Sequence, residues 1–170
     1  MEKISIKLDA DKLKKMSDLV FILIEYIIIK FDKIIYIYLD FHKPIIENEI
    51  KLANISNKDK ILNIGCGPIP ATSIYIAKKT DADITAIDKN LQSVKKAEKL
   101  ILKLKLDEKI RFFHANGLDF PLQEFDLILV SLGITEYYDI LKYISQNMKD
   151  DARLIVRIGS SVNENLVEKD

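Results

Sequence analysis

Two hydrophobic rhythms divide the chain. Up to about residue 56, apolar positions fall in long helical runs; from 57 onward, short apolar blocks alternate with amphipathic stretches. The blocks 61–64, 84–87, 110–114, 125–130 and 154–158 are too short for helices and nearly continuously apolar. That is the pattern of strands buried on both faces of a parallel sheet. Between them, 71–79, 91–106 and 135–148 carry apolar residues at helical spacing, such as Val94, Ala97, Leu100, Ile101 and Leu104, or Ile140, Leu141 and Ile144. Strands alternating with helices predict an α/β fold, Rossmann-like, with a mainly parallel sheet of about five strands.

The earlier part reads differently. Residues 19–41 are strongly apolar, yet Glu25, Lys30, Asp32 and Lys33 interrupt them. A membrane span needs about 20 apolar residues with few charges, so the expectation is no membrane helix. The stretch is read as a helix or helix pair packed on the sheet, with a homodimer interface as the other use for so apolar a surface. His42-Lys43-Pro44 is expected to break the helical pattern, and 45–55 to resume it with Ile46 and Ile50 inward. The expected organisation is a helical segment over 1–56 packed on the same domain, a core over 57–160, and a polar tail over 161–170.

Composition narrows the function classes. A chain of 170 residues forms one domain. Lys plus Arg and Asp plus Glu number 26 each, so net charge is zero. That disfavours non-specific nucleic-acid binding, which needs a basic footprint, and favours a small-molecule partner. With Cys66 the sole cysteine and His42 and His114 far apart, neither a disulfide nor a metal site is expected. No hydrophobic block follows Met1, so the default location is the cytoplasm.

The candidate chemistry lies where the first strand runs into Gly65-Cys66-Gly67-Pro68 and then a helix. A strand–turn–helix unit with glycines lets bare backbone approach a ligand. Asp88 ends the second strand 23 positions after Gly65. A carboxylate about 20 residues beyond the glycines is placed to accept ribose hydroxyls. The Walker pattern fails, since no Gly-Lys-Ser/Thr follows, and Pro70 stands where the dinucleotide fingerprint has its third glycine. Glu136, with Tyr137 and Tyr138, follows the fourth strand at the edge where open α/β sheets bind ligands. Glu136 is thus one catalytic candidate; a plain helix first-turn acid is the alternative reading. Cys66 reads as a packing residue rather than a nucleophile.

From 60 to 159 the sequence resembles the class I S-adenosylmethionine-dependent methyltransferases. Ile61-Leu62-Asn63-Ile64-Gly65-Cys66-Gly67 is similar to their first motif, and Asp88 to the acid closing their second strand. The segment from Phe112 through Asn116 and Gly117 to Pro121 is similar to their adenine-reading segment, and Phe125 to Leu132 to their fourth-strand motif. The resemblance implies S-adenosylmethionine as cofactor and S-adenosylhomocysteine as product. It places Gly65 and Gly67 against the amino-acid arm, Asp88 on the ribose, Asn116 at the adenine amino group and the Gly117 amide at the ring. Asn63, Cys66, Pro68, Lys89 and Ser131 complete the implied cofactor set. Asn63 stands where that family has an acid, and Asn116 where it has aspartate; both swaps remove charge. Residues 65–73, Gly-Cys-Gly-Pro-Ile-Pro-Ala-Thr-Ser, also resemble the signature of nicotianamine synthases, as does Leu154-Ile155-Val156-Arg157 their fifth strand. Those enzymes transfer the aminocarboxypropyl arm. By that resemblance Glu49, or Glu47, is a candidate proton acceptor. The methyltransferase resemblance also implies a sixth and a seventh strand, for which few residues remain. The first expectation is therefore methyl transfer to an unidentified acceptor. Aminocarboxypropyl transfer is the second, and a non-catalytic S-adenosylmethionine-binding protein the third.

Overall fold

The computed structural model describes residues 19, 20, 23, 27, 32–134 and 136–158. Most of the apolar stretch over 19–31 and the polar tail over 161–170 lie outside the described residues. The chain divides into two compact units, Met1–Tyr38 and Leu39–Asp170. Helix α1 (Asp32–Leu52) crosses that division; the site lies in the second unit.

In that unit the order is β1 (Lys60–Ile64), α2 (Ala71–Lys79), β2 (Asp83–Asp88), α3 (Leu91–Leu104), β3 (Ile110–His114), β4 (Leu127–Val130), α4 (Tyr137–Asn147) and β5 (Arg153–Val156). All pairings are parallel, in the order β3-β2-β1-β4-β5. The expected five-stranded α/β fold is therefore present. Among the described residues, the sheet ends at β5.

The alternation within β1 explains its layers. Leu62 and Ile64 join Ile128, Val130, Ile140 and Ile144 in one apolar cluster, so α4 packs on that face. Asn63 turns the other way, and its amide donates to Ser73 of α2 at 2.9 Å. Ile140 and Ile144 are one turn apart and both buried; each stabilises by about 1.5–3 kcal/mol relative to exposure. Helix α3 begins at Asn90, whose side chain accepts the amides of Gln92 and Ser93. It ends at Lys105, which takes the left-handed conformation at φ 56° and stops the helix two residues short of the expected 106.

Other boundaries also differ from the sequence reading. The apolar block from Phe125 was expected to be strand, but β4 starts at Leu127. The Phe125 amide closes a turn onto Leu122 while its ring enters the core, so its apolarity reports burial rather than extension. Strand β5 covers Arg153–Val156 instead of 154–158. The expected break at His42-Lys43-Pro44 is absent, since α1 runs through Pro44. Proline removes one helical hydrogen bond. Both Pro44 and Asp40, whose carbonyl loses that partner, are exposed.

The end of α1 lies antiparallel to β5. Arg153, at the start of β5, donates to the carbonyls of Ala53 and Asn54, while Arg157, just beyond β5, binds Glu49 one turn earlier in the helix. Glu47 joins α1 to α2 by accepting the Tyr75 hydroxyl at 2.7 Å. Among the described residues, no helix is long and apolar enough to cross a membrane.

Candidate functional site

Strands β1, β2 and β3 step one way across the sheet and β4 and β5 the other. The chain thus reverses direction between β1 and β4, and ligands in open α/β sheets sit outside the strand C-termini at such a point. A cleft of about 200 Å³ opens there. It is below the ~300–1,000 Å³ typical of small-molecule pockets.

The turn after β1 forms its floor. Gly65 and Gly67 have φ of 73° and 65°, a region that glycine enters without the Cβ penalty. The amides of Gly65 and Cys66 both donate to the Ile87 carbonyl, at 2.9 and 3.0 Å. The Gly67 amide donates to Asp88 Oδ2 at 2.8 Å, and the Asn90 amide to Asp88 Oδ1 at 2.8 Å. Asp88 therefore ties the glycine turn to the start of α3. Each carboxylate oxygen has a second lone pair, so the same group can accept ligand hydroxyls. A Cβ on Gly67 would meet nothing within 4 Å, whereas one on Gly65 would lie 3.0 Å from Ile134. Gly67 faces open space, and Ile134 lies over Gly65.

The walls come from neighbouring connections. Asn116 lines the cleft, and its side chain accepts the Leu118 amide at 3.2 Å, closing an Asx turn. Gly117 lines it as well, but its lack of a side chain is dictated from behind, because a Cβ there would sit 2.7 Å from Ile64 Cγ2. Leu132, Gly133 and Ile134 form the side after β4. Lys89 and Glu136 line the rim and form a two-pronged ion pair at 2.7 Å.

The structure thus brings Gly65, Gly67, Asp88, Lys89, Asn116, Gly117 and Glu136 to one cleft. Asn63, Cys66, Pro68 and Ser131 are not among the residues lining it. Asn63 is buried, and besides its bond to Ser73 it accepts the Ser131 hydroxyl at 2.9 Å. It braces the turn after β1 against the loop after β4. Cys66 is buried, and burial together with the nearby Asp88 charge pushes its thiol up to about 12. It stays protonated and is no nucleophile.

Glu49 lies apart from the cleft's lining residues. It is 7% exposed, and Arg157 donates to it through Nε at 2.6 Å and Nη2 at 2.7 Å. Glu47 is held below the usual carboxylate range, first by the Tyr75 hydroxyl and then by lysines including Lys43. Burial and that same bond push the Tyr75 phenol up to about 12. The sequence reading missed both pairings, and of the wall after β4 it included Leu132 but not Gly133 or Ile134. Gly133 was the one local signal for that wall; the pairings join residues 28 and 108 positions apart, beyond the reach of any local pattern. Among the described residues, no group of acidic, histidine or cysteine side chains fits a metal ion.

A five-stranded parallel sheet with a glycine turn after β1 and an acid closing β2 defines the Rossmann-like fold of the class I methyltransferases. Residues 38–168 match the nicotianamine synthase protein family, and the chain belongs to it. It is 23% identical over 125 residues to L-histidine 2-aminobutanoyltransferase of Yersinia pestis, covering 74% of this chain and 47% of that protein. A mutant of MtNAS in complex with S-adenosylmethionine superposes with a TM-score of 0.70 at 17% identity, covering 79% of this chain and 54% of that one. A putative S-adenosylmethionine-dependent methyltransferase from Methanococcus maripaludis gives a TM-score of 0.66 at 21% identity, covering all of this chain and 76% of the other. The chain thus spans about half the length of the transferase and of the MtNAS protein.

Proposed function

We propose that this chain binds S-adenosylmethionine in the cleft and transfers its aminocarboxypropyl arm to the amine of a small-molecule acceptor. The observation that carries the reading is the convergence of the Gly65–Gly67 turn, the Asp88 carboxylate and Asn116 on one cleft, in a chain of the nicotianamine synthase family. The groups present suit this donor. Open space at Gly67 admits the amino-acid arm, the spare lone pairs of Asp88 suit the ribose hydroxyls, and Ile64, Ile87, Ala115 and Ile140 give apolar walls.

The donor's sulfonium makes each carbon bonded to sulfur electrophilic, so positioning for in-line attack supplies much of the rate. An amine that attacks must also shed a proton. Glu49, at the β5 end of the same sheet edge, is our assignment for its acceptor. The relative named for 2-aminobutanoyl transfer to L-histidine supports this choice over methyl transfer.

Methyl transfer is the second reading. Among the described residues the carboxylates lining the cleft are Asp88 and Glu136, and both are engaged, by backbone amides and by Lys89. A methyl transfer that needs no base suits such a cleft. Mass analysis after incubation with S-adenosylmethionine and amine acceptors separates the readings. Methylthioadenosine is the expected product. S-adenosylhomocysteine would establish methyl transfer instead, and binding without either product would make the chain a binding protein.

A further inference from the structure

Arg157 and Glu49 form a forked pair at the edge of the sheet where ligands bind. Arg157 immediately follows β5, and its amide donates to the Val130 carbonyl at 3.1 Å, so its backbone extends the β4–β5 ladder to the C-terminal edge. Along that edge the groups stand in the order of the strands. Asn116 follows β3, Asp88 ends β2, the glycine turn follows β1, Leu132 to Ile134 follow β4, and Arg157 follows β5. Neighbouring strands are about 4.8 Å apart, so β5 lies roughly 14 Å from β2. A donor with its base toward Asn116 and its ribose on Asp88 points its reactive arm over the glycine turn, toward β4 and β5. Arg157 is not among the residues lining the cleft, but it follows β5 on that same edge, beyond the wall at Leu132 to Ile134.

The pair is asymmetric. The Glu49 side chain is 10% exposed and that of Arg157 is 23% exposed. The carboxylate lies deeper and the guanidinium nearer solvent. A guanidinium fork matches a planar carboxylate in two parallel hydrogen bonds, and Glu49 supplies such a partner from within the chain. A purely architectural role is already filled at the other end of β5. There Arg153 holds Asp59 at 2.7 Å and the carbonyls of Ala53 and Asn54 just past α1.

We propose that Arg157 is the binding group for the carboxylate of an α-amino acid acceptor, and that Glu49 occupies it until that carboxylate arrives. The exchange has two consequences in one event. The acceptor is anchored by the fork, and Glu49 is released beside its amine. The amine nitrogen then forms a bond to the γ-carbon of the donor's arm. The bond from that carbon to sulfur breaks, its electron pair stays on sulfur to give neutral methylthioadenosine, and the nitrogen's proton passes to Glu49. An amine lacking the carboxylate leaves Arg157 on Glu49 and the base engaged. This assignment rests on the aminocarboxypropyl reading above for its chemistry, though not for the binding it predicts.

The test uses the full chain and calorimetry with methylthioadenosine present at saturation. The probes are the proteinogenic L-amino acids, each paired with its decarboxylated amine, for example L-histidine with histamine. The protein is expected to bind at least one amino acid about tenfold or more tighter than its amine. Arg157→Lys keeps the charge but loses the fork; it should erase that preference while moving S-adenosylmethionine affinity less than about twofold. Glu49→Gln should act in the opposite direction on binding. With a weaker internal competitor on Arg157, amino-acid affinity rises while turnover falls. A staple of α1 to β5 would yield neither result, and would show instead as a lower melting temperature in both variants. The proposal is overturned if no amino acid is preferred over its amine, if Arg157→Lys keeps the preference, or if Arg157→Lys chiefly weakens S-adenosylmethionine. Should the product be S-adenosylhomocysteine, the transfer reading fails while the binding results still decide the role of Arg157.

Discussion

The two edges of the sheet use the same chemistry to different ends. At the N-terminal edge, Asp126 accepts the Lys60 amide at 2.7 Å and pairs with Lys149, while Arg153 pairs with Asp59 and takes the carbonyls of Ala53 and Asn54 just past α1. At the C-terminal edge, Asp88 accepts the Gly67 and Asn90 amides, while Arg157 pairs with Glu49. Each edge has a carboxylate bound by at least one backbone amide and an arginine paired with an acid. They differ in the backbone around them. The C-terminal edge has glycines at positive φ that hold the chain in an open turn, and there the chain reverses direction between β1 and β4. At the N-terminal edge the helix end meets the strand starts directly. Ion pairs thus lock one edge closed; at the other they surround a gap. A charged pair alone does not mark a site. The topology around it does.

The largest expected effect would break this comparison outright. Asp88→Ala removes the acceptor of the Gly67 and Asn90 amides along with the group proposed to hold the ribose, and S-adenosylmethionine affinity should fall about 10- to 100-fold. The control is Asp126→Ala, which removes an equally well-bonded carboxylate from the other edge. Calorimetry showing equal losses in the two variants would mean that neither edge is the donor site.

Two glycines then separate packing from approach. Gly117→Ala places a Cβ 2.7 Å from Ile64. It should cost about 1–3 kcal/mol of stability as an overpacked core position. Gly67→Ala faces open space and carries only the backbone penalty at φ 65°, about 1–2 kcal/mol. Gly67→Val is expected to obstruct S-adenosylmethionine in a folded protein. Thermal melts with calorimetry distinguish the cases; normal donor binding by Gly67→Val would place the site elsewhere.

At the closed edge, Arg153→Ala should lower stability by about 1–2 kcal/mol and leave donor affinity unchanged. A change in donor affinity with no loss of stability would reverse the roles assigned to the edges.

The smallest effect is pH dependence. Asp126 is held below the ordinary carboxylate range, first by the hydrogen bond from Lys149 and then by the Lys60 amide. A carboxyl that is more acidic in the folded chain contributes stability above its unfolded pKa. That contribution is lost as pH falls through the folded value, here below about pH 4. Asp126→Asn should flatten the acid limb of a urea-melt series by a few tenths of a kcal/mol, since the pair is partly solvated. An unchanged acid limb would show that the pair contributes nothing measurable.

Local pattern carried much of this protein. Apolar blocks separated by helical periods specify a parallel sheet, because strands covered on both faces are apolar; β1, β2 and β4 are buried in this way, whereas the edge strands β3 and β5 are only partly buried. Glycine spacing and an acid 23 positions on specify a ligand turn, because the constraint acts within one β-α-β unit. Periodicity was weaker at boundaries. Phe125 is apolar and buried without being strand, and Pro44 is tolerated inside α1 on a solvent-facing turn. Three things were decided only by the tertiary structure. The absence of a side chain at Gly117 is set by Ile64 from β1. Asn63, placed by resemblance at the cofactor, spends its amide on Ser73 and Ser131. Arg157 meets Glu49 across 108 positions. Such contacts follow from which strands are neighbours, and that order is set by packing over the whole sheet rather than by any segment's own periodicity.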